Sequence, residues 1–307
     1  MKFLSTPKFW NDKSHPLKYC FFLFSLIYYI LFQINKMKQI IFEKEIKIKT
    51  ICVGNIYLGG TGKTPLTEKI YHNLKDLKKT CIIKKFRQSQ IDEINMLNSK
   101  TTIFTPKNRL AGLIEAEQKG FEIAILDDGM QDFSFKKNRS ILCIKSKKGF
   151  GNENILPAGP LREPLSAIQN YEVAVINGKK NFVLENLLKS FKKDIKIFYS
   201  SYVLKNKEKF YNKKFFAFSG IADNKSFIDF LKKNDVNIVE NKFFPDHYIF
   251  SDNQIEKFIL KYKKKGVELI TTEKNYNSIS SRCKKDIFFT EIDLQIDNFK
   301  DFLNEIN

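Results

Sequence analysis

Histidine is scarce in this sequence: His15, His72 and His247 are the only ones in 307 residues. That scarcity disfavours a metal centre built from several imidazoles. The five cysteines, Cys20, Cys52, Cys81, Cys143 and Cys283, are odd in number and none pair as C-x-x-C. They read as reduced, mostly buried thiols in a cytosolic setting, not as a disulfide frame or a zinc site. An arginine-rich stripe and an aromatic RNA-binding signature are both missing, so nucleic acid is not expected as a partner. Internal repeats and low-complexity tracts are absent as well. The one uncharged apolar run, Tyr19 to Phe32, falls short of the roughly 20 residues of a full membrane span.

What is present points to a folded protein with an anionic partner or a biased composition. Hydrophobic residues make up 43% of the chain, too many for disorder and too few for a polytopic membrane protein. The formal charge is +19. A basic surface attracts phosphates or anionic lipid, but the lysines are spread along the whole chain, so compositional drift towards Lys, Ile, Asn and Phe accounts for at least half of it.

The apolar run YCFFLFSLIYYILF is preceded by Lys2, Lys8, Lys13 and Lys18 and followed by Lys36 and Lys38. No small-residue cleavage site follows, which disfavours a secretory signal. The pattern suits a helix lying in or dipping into a bilayer, with its tyrosines and Trp10 near the headgroups and its lysines on anionic lipid. A buried core helix is the alternative at this length.

Strand-like IKIKTICVGN then leads into Gly59-Gly60-Thr61-Gly62-Lys63-Thr64, with Pro65 expected at the first helical position and helical spacing through LTEKIYHNLKDL. Glycines allow backbone N–H groups to converge on phosphate oxygens, Lys63 adds a cation, and the Thr64 hydroxyl suits Mg²⁺. The helix N-terminus adds a favourable dipole. The first glycine of the usual G-x-x-x-x-G-K-T pattern is replaced by Tyr57, so the loop is a variant. FEIAIL is a second buried strand, ending in Asp127 and Asp128, where a phosphate-loop enzyme keeps its magnesium-organising acid. SILCIK and YEVAVING are further buried strands. LPAGPLREPL, Leu156 to Leu165, is a proline-fixed loop displaying Arg162, suited to phosphate, and Glu163, suited to a metal shell. As an ordinary turn, the same pair would be a weak surface ion pair. Phe244-Pro245-Asp246-His247 places a titratable imidazole beside an acid, although a lone histidine is more often structural.

KFFAFSGIAD, NKSFIDFLKKN, DNQIEKFILKYKKK and GVELITTEK continue the strand–helix alternation. The fold class is therefore α/β, with a parallel sheet. The expected organisation is an N-terminal membrane-associating segment over 1–36, a phosphate-loop domain over 37–197, a strand-like linker over 198–214 and a smaller α/β domain over 215–307.

Taken together, the PKFW start, VGNIYLGGTGKTP, DDGMQDFSF, LPAGPLREPLSAI, VAVING, FSGIAD, FPDHYIFS and TTEK resemble the tetraacyldisaccharide 4'-kinase family of lipid A biosynthesis, along nearly the whole chain. The resemblance implies transfer of the ATP γ-phosphate to the 4'-hydroxyl of a tetraacyldisaccharide 1-phosphate lipid, at the cytoplasmic face of the inner membrane. It implies two α/β domains with catalysis in the cleft between them, and no obligate protein partner. Carried over by position, Tyr57, Leu58, Gly59, Gly60, Thr61, Gly62, Lys63, Thr64 and Arg162 would bind ATP. Thr64, Asp127, Asp128 and Glu163 would organise Mg²⁺. Lys63 and Asp128 would act in catalysis, and Asp92, matched through Ile91-Asp92-Glu93-Ile94, would draw the proton from the sugar hydroxyl with His247. Departures from the family pattern are Asp132 in place of His, the shortened IIKKFRQSQ before Asp92, and Asn275 where TEKD becomes TEKN. These keep two other readings open: a kinase acting on a different membrane glycolipid, and a non-catalytic nucleotide-binding module.

Overall fold

In the computed structural model, which describes residues 7–307, the strand–helix alternation closes into two sheets, one of eight strands and one of four. Lys2, counted above among the flanking cations, lies outside the described residues. The larger unit comprises residues 7–86, Thr101–Ser201 and Leu294–Asn307, and the smaller one Arg87–Lys100 and Tyr202–Asp293.

The N-terminal segment makes a 3-10 turn over Lys8–Asn11, then helices α1 (Leu17–Cys20) and α2 (Phe22–Ile41). Trp10 departs from the expectation of a headgroup position. It is buried, and its indole N–H donates to the Pro157 carbonyl at 3.0 Å. Helix α2 continues well past the apolar run, but among the described residues no helix is long and apolar enough to cross a membrane. Its amphipathicity is inverted. The inner stripe carries polar contacts: Ser25 Oγ donates to the Ile155 carbonyl, Tyr28 Oη to the Arg162 carbonyl, and Gln39 Oε1 accepts from the Phe133 amide. The outer face exposes Phe22, Leu23, Phe24, Leu26, Ile27, Ile30 and Leu31.

Strand β1 (Lys49–Gly54) leads to α3 (Lys63–Leu74), whose stripe of Leu66, Thr67, Ile70, Tyr71 and Leu74 is buried at helical spacing. Then come β2 (Thr80–Lys84), the α4 helix of the smaller unit (Ile91–Asn98), β3 (Ile103–Phe104), α5 (Arg109–Gln118) and β4 (Ile123–Asp127). They are followed by β5 (Arg139–Lys145), β6 (Val173–Asn177), α6 (Phe182–Phe191) and β7 (Lys196–Leu204). The large sheet runs β12-β7-β6-β5-β1-β4-β2-β3, where β12 is the late strand Ile292–Ile296. The pairings of β1 with β4 and β5 are parallel, as are β2 with β3 and β4, and β6 with β5 and β7. Helices cover parallel strands on both faces, so these strands read as apolar runs instead of alternating patterns. β2 and β4 are buried at every position.

The smaller unit forms β8 (Lys214–Ser219), α7 (Asn224–Lys233), β9 (Asn237–Phe243), α8 (Asp252–Lys263), β10 (Glu268–Thr272), α9 (Glu273–Ser278), α10 (Ser281–Lys284) and β11 (Ile287–Thr290). Its sheet order is β11-β10-β8-β9, all parallel. Alternation along β8 divides the core: Phe216 and Phe218 pack with Phe244, Phe250 and Tyr262, while Phe215 and Ala217 pack with Phe227 and Leu231. Helix α11 (Phe299–Ile306) closes the chain, with Phe302 and Ile306 buried.

Candidate active site

The glycine-rich turn sits at the carboxyl end of β1, between β4 and β5, the place where open α/β sheets hold ligands. Gly59 and Gly62 have φ of 131° and 98°, conformations that a side chain would strain. Asn55 Nδ2 donates to Thr61 Oγ1 at 2.9 Å and to the Gly59 carbonyl at 3.4 Å, holding the loop from beneath. The proline-rich loop braces it from the side: Leu58 N–H donates to the Pro160 carbonyl and Arg162 N–H to the Ile56 carbonyl, both at 2.8 Å. The Leu58 amide is therefore committed to this brace. Tyr57, standing where a glycine is usual, is buried and bridges antiparallel to Leu161. Helix α3 begins at Lys63, so Pro65 lies two residues inside the expected first position. It still falls within the first turn, where a missing N–H removes no intrahelical bond.

Lys63 Nζ lies 3.4 Å from Asp128 Oδ1. Arg162 Nη1 reaches both Asp128 carboxylate oxygens, at 2.9 and 3.0 Å, and Arg109 Nη2 donates to the Asp128 carbonyl at 2.7 Å. Burial opposes the charge on Asp128, but Lys63 and Arg162 outweigh it and hold the carboxyl far below the usual carboxylate range. Asp128 also adopts φ of 60°, uncommon for a non-glycine residue. Strained backbone of this kind clusters at functional sites.

The neighbouring Asp127 is fully buried and differently engaged. Its Oδ2 takes the Lys84 ammonium at 2.6 Å and the Thr64 hydroxyl at 3.0 Å, while its Oδ1 has no hydrogen-bond partner. An orphaned carboxylate oxygen beside a phosphate-loop threonine fits Mg²⁺, which takes one or two protein oxygens and leaves its remaining positions to phosphate and water. Glu163 is buried as well, and its Oε1 accepts from Gln131 Nε2 at 2.6 Å. Burial raises its carboxyl above the ordinary value. Among the described residues, no three His, Cys, Asp or Glu side chains converge on one metal-sized site. Asp132 lies 3.5 Å from Arg109 Nη1 and accepts from the Ser134 hydroxyl at 2.6 Å.

The smaller unit carries the second set. Asp92, in the first turn of α4, is buried, and its Oδ1 and Oδ2 lie 3.0 and 3.2 Å from His247 Nδ1. His247 has φ of 57°, so it shares the left-handed backbone of Asp128. Lys274, in α9, lies 3.4 Å from Asp92 Oδ2, 3.4 Å from Glu93 Oε1 and 3.0 Å from Asp246 Oδ1. Burial opposes the imidazolium, yet the Asp92 hydrogen bond and the Asp246 charge carry His247 above its ordinary value, against the pull of Lys274. Burial likewise works against the Asp92 carboxylate, but His247 and Lys274 lower it. Asn275 is wholly buried beneath this loop: its Oδ1 accepts the Gly220 N–H at 2.9 Å, and its Nδ2 donates to the Gly220 carbonyl at 3.4 Å. A carboxamide makes both bonds without burying a charge.

Of the residues singled out in the sequence, Lys63, Thr64, Asp127, Asp128 and Arg162 come together in the larger unit, and Asp92 and His247 in the smaller. Lys84, Arg109, Gln131 and Lys274 were not singled out. Lys84 ends a buried strand, a rare place for lysine unless it is paired, and that was its available signal. Lys274 stood in the TTEK segment without a role, and nothing in the spacing marks Arg109 or Gln131.

A profile of the family described as Tetraacyldisaccharide-1-P 4'-kinase (LpxK) matches residues 17–85 and 87–307. A tetraacyldisaccharide 4'-kinase of Pelagibacter ubique is 37% identical over 99% of this chain and 97% of its own length. That of Rickettsia bellii is 31% identical over 89% of each chain. The crystal structure of an "apo" form of LpxK from Aquifex aeolicus in complex with ATP superimposes with a TM-score of 0.74 at 23% identity, covering 94% of this chain and 98% of that one. The α/β fold around this phosphate loop is thus that of LpxK, and the chain belongs to the tetraacyldisaccharide 4'-kinase family.

Proposed function

We propose that this protein transfers the γ-phosphate of ATP to the 4'-hydroxyl of a tetraacyldisaccharide 1-phosphate, a step of lipid A biosynthesis. One observation carries the chemistry: Lys63 and Thr64 meet Asp128 and Asp127 where β1 and β4 end, at 3.4 and 3.0 Å. Phosphoryl transfer asks the protein mainly for positioning and charge neutralisation. The loop from Gly59 to Thr64 cradles phosphate through backbone N–H groups and the Lys63 ammonium. Arg162, now turned to Asp128, is a second cation available to phosphate oxygens. Thr64 and Asp127 are the groups that would hold Mg²⁺, with Asp128 and the more distant Glu163 shaping the field around it. Bound there, magnesium neutralises charge on the phosphate oxygens. In the smaller unit, Asp92 accepts the proton of the acceptor hydroxyl and His247 orients it.

The lipid acceptor accounts for the inverted helix α2. Its polar stripe is spent on Ile155, Arg162 and Phe133, and its apolar side faces outward with no protein cover. An apolar face of that extent marks an interaction site, and an interfacial helix flanked by lysines suits the membrane in which the substrate resides. The protein thus works on the cytoplasmic face of the inner membrane, without spanning it through this helix.

The test is transfer of labelled phosphate from Mg-ATP to purified tetraacyldisaccharide 1-phosphate. Product carrying label at the 4' position is expected from the wild-type protein, and at a rate lowered by about 10²–10³-fold from Lys63→Ala. ATP binding with no transfer to this acceptor would sink the reading.

A further inference from the structure

Lys274 is enclosed by carboxylates. From α4 it meets Asp92 at 3.4 Å and Glu93 at 3.4 Å, and from the loop after β9 it meets Asp246 at 3.0 Å. Its side chain retains only 14% of its exposure, so these contacts are made with little water between them. Three acids against one ammonium is an unusual grouping for a merely structural pair, and His247 lies against the same Asp92. Two further charges face this group: Asp246 Oδ2 lies 3.8 Å from His247 Nε2, on the other side of the ring from Asp92, and Glu273 of α9 is paired with Lys100, just beyond α4, at 2.6 Å.

Resting on the reading of Asp92 and His247 as the proton-accepting pair, we propose that Lys274 is a positioning residue for them. Its ammonium ties α4 to the Asp246–His247 loop and fixes Asp92 with one edge on His247. A lysine with three donors can serve three acceptors at once, whereas a methionine of similar length donates none. Charge has a second consequence. Lys274 faces both Asp92 and His247 and favours the deprotonated state of each, so it keeps the pair able to accept a proton at neutral pH.

The experiment is the pH dependence of kcat for the full-length enzyme in mixed micelles with Mg-ATP and tetraacyldisaccharide 1-phosphate. Lys274→Met removes the positive charge, so protons bind more tightly and the acid-side midpoint moves to higher pH, by on the order of one unit. Activity then falls by up to about fivefold at neutral pH, by about tenfold only well below the wild-type midpoint, and recovers towards alkaline pH, with KM for ATP unchanged. Lys274→Arg retains the charge and keeps the wild-type midpoint. Glu93→Gln removes a negative charge and moves the midpoint the other way, which provides a test even if Lys274→Met does not fold. An equal loss at every pH in Lys274→Met, or a midpoint that Glu93→Gln leaves in place, would overturn the proposal. Asp92→Asn separates the two readings: full activity in that variant removes the proton-accepting role itself, whereas its inactivity with an unmoved Lys274→Met profile removes only the role of Lys274.

Discussion

The Lys84 ammonium lies 2.6 Å from Asp127 Oδ2, and both side chains are almost completely buried, at 4% and 0% exposure. Removing one partner of such a pair leaves a charge stranded in a poorly solvated site, at a cost of about 3–5 kcal/mol. Lys84→Met is therefore expected to lower the denaturant midpoint of unfolding sharply. Added Mg-ATP should restore part of that loss, because a cation at Asp127 replaces the missing one and binding to the folded state stabilises it. Urea unfolding with and without Mg-ATP checks both expectations.

Thr64 donates to the same carboxylate oxygen as Lys84. Thr64→Ala deletes a hydroxyl without stranding a charge, so the fold should survive while the magnesium requirement rises. An increase of roughly tenfold in the half-saturating magnesium concentration is expected, in line with about 1.4 kcal/mol of lost interaction. A magnesium titration of phosphate transfer reads this directly, and an unchanged requirement would place the ion elsewhere.

Lys63 stands at the start of α3 with its ammonium against Asp128. Lys63→Ala should cut kcat by about 10²–10³-fold, the usual loss for a preorganised group aimed at developing charge. Asp128 should remain ionised in that variant, because Arg162 still reaches both of its oxygens. Single-turnover transfer separates this loss from a simple weakening of ATP binding.

These residues differ in how visible they were before the fold was known. Lys63, Thr64, Asp127 and Asp128 were legible because their types and spacing state a mechanism: a glycine turn after an apolar run, then two acids ending another such run. Strands β1, β4, β5, β6, β8 and β10 were legible for a related reason, since parallel strands covered on both faces announce themselves as unbroken apolar segments. Strands β2, β3, β9, β11 and β12 were not read as strands, and β9 is largely exposed. Arg109 was not legible, because it acquires its meaning from a carbonyl many residues away, and Lys84, although its place at the end of an apolar run hinted at a partner, gave no sign that the partner was Asp127. Trp10 was misplaced for a similar reason. An aromatic beside lysines and an apolar helix suggests a headgroup anchor, and only the fold brings the Pro157 carbonyl to its indole. The division of the chain at Arg87–Lys100 was equally hidden, since a short helix between two strands of the large sheet gives no local sign of packing on α9.

His247 and Asp92 impose a pH signature on stability. His247 is raised above its ordinary 6.5 in the folded protein, so its contribution is complete below that value and is lost as pH rises through the folded one. Asp92 is lowered from 3.8, so its contribution is present above that value and is lost as pH falls through the folded one. Both contributions coexist between about 3.8 and 6.5. Wild-type protein should therefore lose stability on moving from pH 6 to pH 8 by more than His247→Gln does. Parallel unfolding midpoints for the two proteins across that range would show that the imidazole is not held by Asp92.

Membrane association can be separated from catalysis because the two faces of α2 do different things. Leu23, Phe24 and Leu31 are 63%, 57% and 61% exposed, and none of them contributes to the bonds that Ser25 and Tyr28 make with the Ile155–Arg162 loop. Replacing all three with glutamate removes apolar area from the lipid boundary and adds charge of the sign that anionic lipid repels, while the loop that carries Arg162 stays seated. The triple variant should lose most of its co-sedimentation with anionic vesicles, yet retain phosphate transfer to acceptor dispersed in detergent. Deleting residues 1–34 would be a poorer probe, because it also removes the Ser25 hydroxyl from Ile155 and Ala158 and the Tyr28 hydroxyl from Arg162. Vesicle binding that survives the triple substitution would assign the lipid contact to another surface, and activity lost in detergent would mean that the outer face of α2 also shapes the site.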